Sequence, residues 1–63
     1  MTATLLMLWC LAGQCEEVQA PVAITMAECS IWGQIHARRW QLENPAYAEH
    51  TFGGWRCENG VRA

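Results

Sequence analysis

From Leu5 to Ala12 every position is apolar or a cysteine, LLMLWCLA, and Gly13 breaks the run. A strand with one wet face alternates apolar and polar side chains, so an unbroken run of strand length belongs to a strand covered on both faces. The next stretch, CEEVQAPVAI, places Val18, Ala20 and Val22 on one alternation and reads as a second extended segment. Pro21 cannot donate to a ladder, which confines that end to an edge or a strand exit. The two runs predict a β-hairpin over residues 2–24 with a four-residue loop, Leu11 to Gln14. Cys10 and Cys15 then face each other at the base of the loop.

The pattern changes at Thr25. In TMAECSIWGQIHARRWQLENP, Thr25 and Glu28 match the S/T-x-x-E capping box, and Asn44-Pro45 is a stop, because the residue before proline avoids helical dihedrals. This predicts one helix over 26–43. At 100° per residue its apolar side chains divide into two groups. Met26, Cys29, Trp32, Gly33, Ala37 and Trp40 share one direction, with His36 among them. Ile31, Ile35 and Leu42 lie almost opposite. A helix lying on a sheet needs one apolar stripe, so the second stripe predicts contact with another chain. Gly33 costs about 1 kcal/mol relative to Ala in a helix interior, and its place between two tryptophans predicts the close approach of a strand or an indole.

After the NP turn, residues 47–58 read as a third strand. Trp55 and Cys57 share one face, Arg56 and Glu58 the other, and Gly53-Gly54 predicts a bulge. The expected fold is α+β: a small β-β-α-β domain in which a three-stranded, mostly antiparallel sheet carries one helix. One helix covers one face of that sheet. Leu6 and Leu8, on the other face of the first strand, therefore join Ile31, Ile35 and Leu42 as expected interface residues.

Composition sharpens the same expectation. A chain of 63 residues is a single domain that buries only about 60% of its unfolded surface, yet 52% of this one is hydrophobic, with four tryptophans. Domains this small need staples or partner chains. All six acids are Glu and all four bases are Arg, for a net charge of −2. Such a balance supplies no basic footprint for nucleic acid or for an anionic membrane. The opening apolar run has no basic residue before it and is too short for a span, and Gln14 separates the small residues from Cys15. The run is therefore expected to belong to the fold and not to a secretion signal or lipid anchor.

Four cysteines permit three complete pairings. Topology favours Cys10 with Cys15 across the hairpin and Cys29 with Cys57 between helix and last strand. The second pairing would bring Cys29, Trp32, Trp40 and Trp55 together in the core. Zinc held by these cysteines with His36 or His50 is the rival reading, although no tight second pair supports a two-knuckle site. Reduced buried thiols are the third. His36 is expected at the edge of the core and His50 in solvent on a strand. There is no phosphate loop and no H-E-x-x-H. Cys29 and His36 stand about 10.5 Å apart along the helix axis, too far for a nucleophile–base pair. No enzyme activity and no cofactor are expected.

The segments CLAGQC, TMAEC, GQIHARRW, ENPAY and GWRC resemble a loose group of small uncharacterised proteins of alphaproteobacteria and their phages. That pattern joins an N-terminal strand with Cys, a helix opening T-x-x-x-C, a Trp, an HP or NP turn, and W-R-C near the end. Asn44 stands where a His is common, and TFGG resembles an insertion before Trp55. The resemblance implies a phage-encoded product, supports the Cys29–Cys57 pairing, and carries no activity. The functional expectation is a non-enzymatic assembly protein, a virion component such as a capsid decoration or tail accessory protein, found in the virion or host cytoplasm. It would act by self-association or by docking to a protein partner. The alternatives are a small inhibitor or adaptor of a host protein, and a zinc- or disulfide-stabilised periplasmic module.

Overall fold

The computed structural model describes residues 2–60, with the side chains of 21 and 22 left aside. Strands β1 (Thr2–Leu11) and β2 (Gln14–Thr25) form the hairpin, helix α1 spans Met26–Glu43, a 3-10 turn covers Pro45–Tyr47, and β3 is Thr51–Asn59. The sheet order is β2-β1-β3, with both pairings antiparallel. The least alternating strand in the sequence is thus the central one, with α1 over its Leu5, Met7 and Trp9 face and no second layer over the other among the described residues.

The hairpin turn is tighter than the sequence suggests. Only Ala12 and Gly13 lie outside the strands, with φ of 53° and 81°. Two positive values in succession define the type I′ turn, whose twist matches that of the flanking strands. Ala is not the residue that normally announces this turn, hence the longer expected loop. Cys10 does pair with Cys15 in the ladder. The register of β2 slips between Thr4 and Leu6 of β1, in the interval that contains Pro21. That of β3 slips between Leu8 and Trp9, at Gly53-Gly54.

The helix occupies the expected residues. Thr25 Oγ1 accepts from the Glu28 N–H at 3.0 Å, and Asn44 closes the other end by donating from its side chain to the Trp40 carbonyl at 2.7 Å. The third strand begins later than residue 47 because Pro45–Tyr47 coils into a 3-10 turn, which His50 extends by donating its N–H to the Tyr47 carbonyl.

The core lies between helix and sheet. Ala3, Leu5, Met7 and Trp9 point up from β1, Ala20 and Ile24 from β2, and Cys29 and Ala37 down from α1. Both cysteine pairs are disulfides, Cys10–Cys15 and Cys29–Cys57. The pairing occupies all four sulfurs that a zinc set would draw on. The tryptophans depart from expectation. Trp9 is the wholly buried indole, stacked with Trp40 at 6.0 Å and tilted against Phe52 at 5.1 Å. Trp32 is half exposed and outside the core. Cys29, Gly33 and Ala37 recur every fourth residue along the line of closest contact, and Trp32 falls about 100° from Gly33 at the middle of that line. Trp55 lies at the sheet edge, where its Nε1–H donates to the Cys29 carbonyl at 3.1 Å.

Candidate functional site

Two features of the surface are unlike the rest. The first is the outer face of α1. Ile31 is 67% exposed, Trp32 51%, Ile35 59% and Leu42 86%, all on the side turned from the sheet. Three of these four are the second stripe expected from the sequence. Trp32 joins them because it left the core. Arg38 and Arg39, both exposed, stand between Ile35 and Leu42 on the same side.

The sheet's free face does not share this character. Leu6 lies there as expected, but it is only 2% exposed and presents no surface to a partner. Its neighbours in the ladder are Gln19 and Arg56. The Arg56 guanidinium crosses β1 to Glu17, with Nε–Oε2 at 2.8 Å and Nη2–Oε1 at 3.0 Å, and also donates to Glu58 at 2.6 Å. These bridges lay the stem of Arg56 over Leu6, and long charged side chains shield apolar surface in this way. The two carboxylates raise the Arg56 pKa, Glu17 contributing most. Leu8 is half buried beside a shallow depression formed with Gly53, Gly54 and Trp55. The planar, two-pronged contact needs an arginine, since a lysine would reach one oxygen.

The second feature is a cavity of about 280 Å³ at the hairpin tip, lined by Trp9, Leu11, Gln14, Cys15, Glu16 and His50. Three elements build it. Trp9 and Glu16 are cross-strand partners on the helix side of the sheet. The chain after α1 folds down beside them, held by Gln41, whose Nε2 donates to the Tyr47 carbonyl at 2.8 Å and the His50 carbonyl at 3.0 Å. Tyr47 then packs on Trp40 at 4.9 Å and on the His50 ring at 4.6 Å. His50 is therefore not the solvated strand residue expected. It precedes β3, is half buried, and its Nδ1 is enclosed without a hydrogen-bond partner. Of the lining residues the sequence singled out Cys15, as the disulfide partner of Cys10, and His50, in the wrong setting. The unbroken apolar run of the first strand carries no alternation that would have marked Trp9 as core-facing. His36, the other histidine, is half buried on α1 with Nε2 3.9 Å from a Glu28 oxygen.

The nearby Glu16 carboxylate, which favours the protonated phenol, and to a smaller extent desolvation raise the Tyr47 pKa above the ordinary value of 10.0. The raised value means the folded state holds the proton more tightly than the unfolded one. The contact thus contributes fully below pH 10 and is lost as pH rises through the folded value. Tyr47 is the sole tyrosine of the chain, so its phenolate absorbance can be followed directly. The titration midpoint is expected above 10, and Glu16→Gln should lower it. A midpoint unmoved by that substitution would place the cause elsewhere.

No protein-family model matches this chain, and neither a curated protein nor a solved structure gives a match. Among the described residues there is no cluster of three or more potential metal ligands, and no helix is long and apolar enough to cross a membrane.

Proposed function

We propose that this protein is a non-enzymatic assembly module that associates with a second copy of itself through the outer face of α1. The observation that carries the reading is the exposure of Ile31, Ile35 and Leu42 on a helix whose other side is already committed to the core. Ile31, Ile35, Arg38 and Leu42 follow a 4-3-4 spacing, the spacing by which side chains of paired helices interlock. An antiparallel copy turned about an axis between Ile35 and Arg38 sets Ile31 against Leu42. It also drops each Ile35 into the gap above the partner's Arg38 stem. A two-fold interface of this kind is satisfied by one patch meeting itself. The arginine stems add apolar cover while their head groups reach water.

A particle component that works by repeated contact needs such a surface and no catalytic centre. The phage virion suggested by the sequence resemblance is a setting of that kind, and that placement rests on the resemblance. The two disulfides favour assembly, or residence, in an oxidising compartment. A host-protein inhibitor would use the same stripe on a different partner.

Sedimentation velocity over a concentration series separates these readings. The wild-type chain is expected to dimerise reversibly, and Ile35→Glu to run as a monomer with an unchanged circular dichroism spectrum. Ser30→Glu, on the exposed polar arc of the same helix, should leave the dimer intact. A wild-type protein that stays monomeric at every concentration, or an Ile35→Glu variant that still dimerises, rejects the proposal.

A further inference from the structure

The two disulfides differ in what surrounds them, and the difference is independent of the helix stripe. Cys29–Cys57 lies between helix and sheet, with Cys29 wholly buried. Cys10–Cys15 lies on the other side of the sheet. Cys10 follows Leu6 and Leu8 along β1 on the face turned from the helix, and no second layer covers that face among the described residues. Cys15 is exposed on β2, an edge strand, and Cys10 is half buried on the central one. Gly53 of β3 stands beside Cys10, where a Cβ would come within 3.3 Å of the Cys10 sulfur. Because the residue is glycine, β3 sets no Cβ against that sulfur at this position. Thiol–disulfide exchange needs a thiolate to reach a sulfur, so access decides which bond opens.

Linkage points the same way. A bond that adds little to the stability of the fold gains little from the fold, because both belong to one thermodynamic cycle. Cys10–Cys15 closes a separation of 5 across a turn that the ladder already holds, whereas Cys29–Cys57 closes 28. We propose that Cys10–Cys15 is a thiol–disulfide exchange site for a dithiol, opened and closed in the folded protein while Cys29–Cys57 stays shut. One thiolate of the dithiol attacks the exposed Cys15 sulfur. The Cys10–Cys15 bond breaks, a mixed disulfide forms, and Cys10 leaves as a thiolate and takes up a proton. The second sulfur of the dithiol then attacks the first, forming the reductant's own disulfide and releasing Cys15, which is protonated in turn. Two electrons and two protons pass to the protein. The ladder keeps Cys10 and Cys15 as cross-strand partners, so the product is a paired dithiol on a folded hairpin.

The test treats the intact, oxidised protein with dithiothreitol in the absence of denaturant, quenches with iodoacetamide and maps the alkylated peptides by mass. Cys10 and Cys15 are expected to be labelled together, with Cys29 and Cys57 still joined and the far-ultraviolet circular dichroism spectrum unchanged. Cys29–Cys57 should open at least about a hundredfold more slowly, because a bond reached only through unfolding is exposed in about one molecule in a hundred or fewer. The double variant Cys10→Ala, Cys15→Ala should yield no labelled cysteine on the faster timescale. Phenylarsine oxide, which bridges two neighbouring thiols, should bind the reduced protein one to one and block its labelling. Equal rates for the two pairs in the native protein overturn the proposal. So does labelling of Cys10 and Cys15 that appears only as the circular dichroism signal is lost, since the bond is then part of what holds the fold.

Discussion

Gly33→Ala is expected to lower stability by about 2 kcal/mol, although in an exposed helix interior the same change raises it by about 1 kcal/mol. A Cβ at this position would overlap the Trp55 indole, meeting Nε1 and Cδ1 as well as Cε2 at 2.7 Å. Contacts that close do not occur, so the ring must leave. Trp55 is rigid and fixed by its hydrogen bond to the Cys29 carbonyl, one helical turn before Gly33. Displacing it combines an overpacking cost of about 1–3 kcal/mol with a lost hydrogen bond of about 1 kcal/mol, and the helical gain offsets only part of this. A double-mutant cycle makes the cause visible. In a Trp55→Ala background the obstacle is gone, and Gly33→Ala should then stabilise the protein by about 1 kcal/mol. Urea unfolding of the four proteins measures the sign. If Gly33→Ala destabilises equally in both backgrounds, the indole is not the reason for the glycine.

The second large effect separates the two disulfides. Replacing Cys29 and Cys57 by alanine is expected to unfold the protein near physiological temperature, whereas replacing Cys10 and Cys15 should be tolerated. The Cys29–Cys57 bond spans 28 residues. On the chain-entropy model, closing a loop of that length destabilises the unfolded state by roughly 3–4 kcal/mol. A chain of this size has a total stability on the order of 3–9 kcal/mol, so most of it goes with the bond. Cys29 is also fully buried beneath the helix, and its loss leaves a void beside Leu5, whose ladder partner is Cys57. The Cys10–Cys15 bond has a sequence separation of 5, across a turn that the hairpin ladder already closes. Its entropic gain is largely redundant, and a shift below about 1 kcal/mol is expected. Thermal melts of the two double variants, followed by far-ultraviolet circular dichroism, decide the matter. Equal losses in both would show that the loop-length argument fails here.

Both predictions turn on residues whose significance was partly legible beforehand. The position of Gly33 between tryptophans announced a close approach. The partner proved to be Trp55, which shares no sequence neighbourhood with it. The apolar stripe Ile31, Ile35 and Leu42 was legible from spacing, because helical periodicity converts sequence directly into a face. Leu6 was not. Its face was read correctly, but its cover comes from Arg56 and Glu17, 39 residues apart and brought together only when β3 and β2 flank β1. Trp32 illustrates the same limit. It lies at the margin of the inward arc, and a helix resting through Cys29, Gly33 and Ala37 approaches the sheet along a narrow line that leaves so large a ring outside. The hairpin-tip cavity had no local signal. Tyr47 and Glu16 belong to segments separated by the whole helix, and the clamp from Gln41 depends on the turn after α1 folding back.

What the sequence determined by itself is local and periodic: an apolar central strand, a capped helix with two apolar stripes, and a proline-enforced stop. These follow from backbone geometry within a few residues, where spacing along the chain is spacing in space. The tertiary structure alone decided which tryptophan fills the core, how Leu6 is hidden, and which distant segments meet at the hairpin tip. Those outcomes depend on the volumes and directions of side chains from elements distant in the chain, and a linear pattern carries no record of how such shapes fit together.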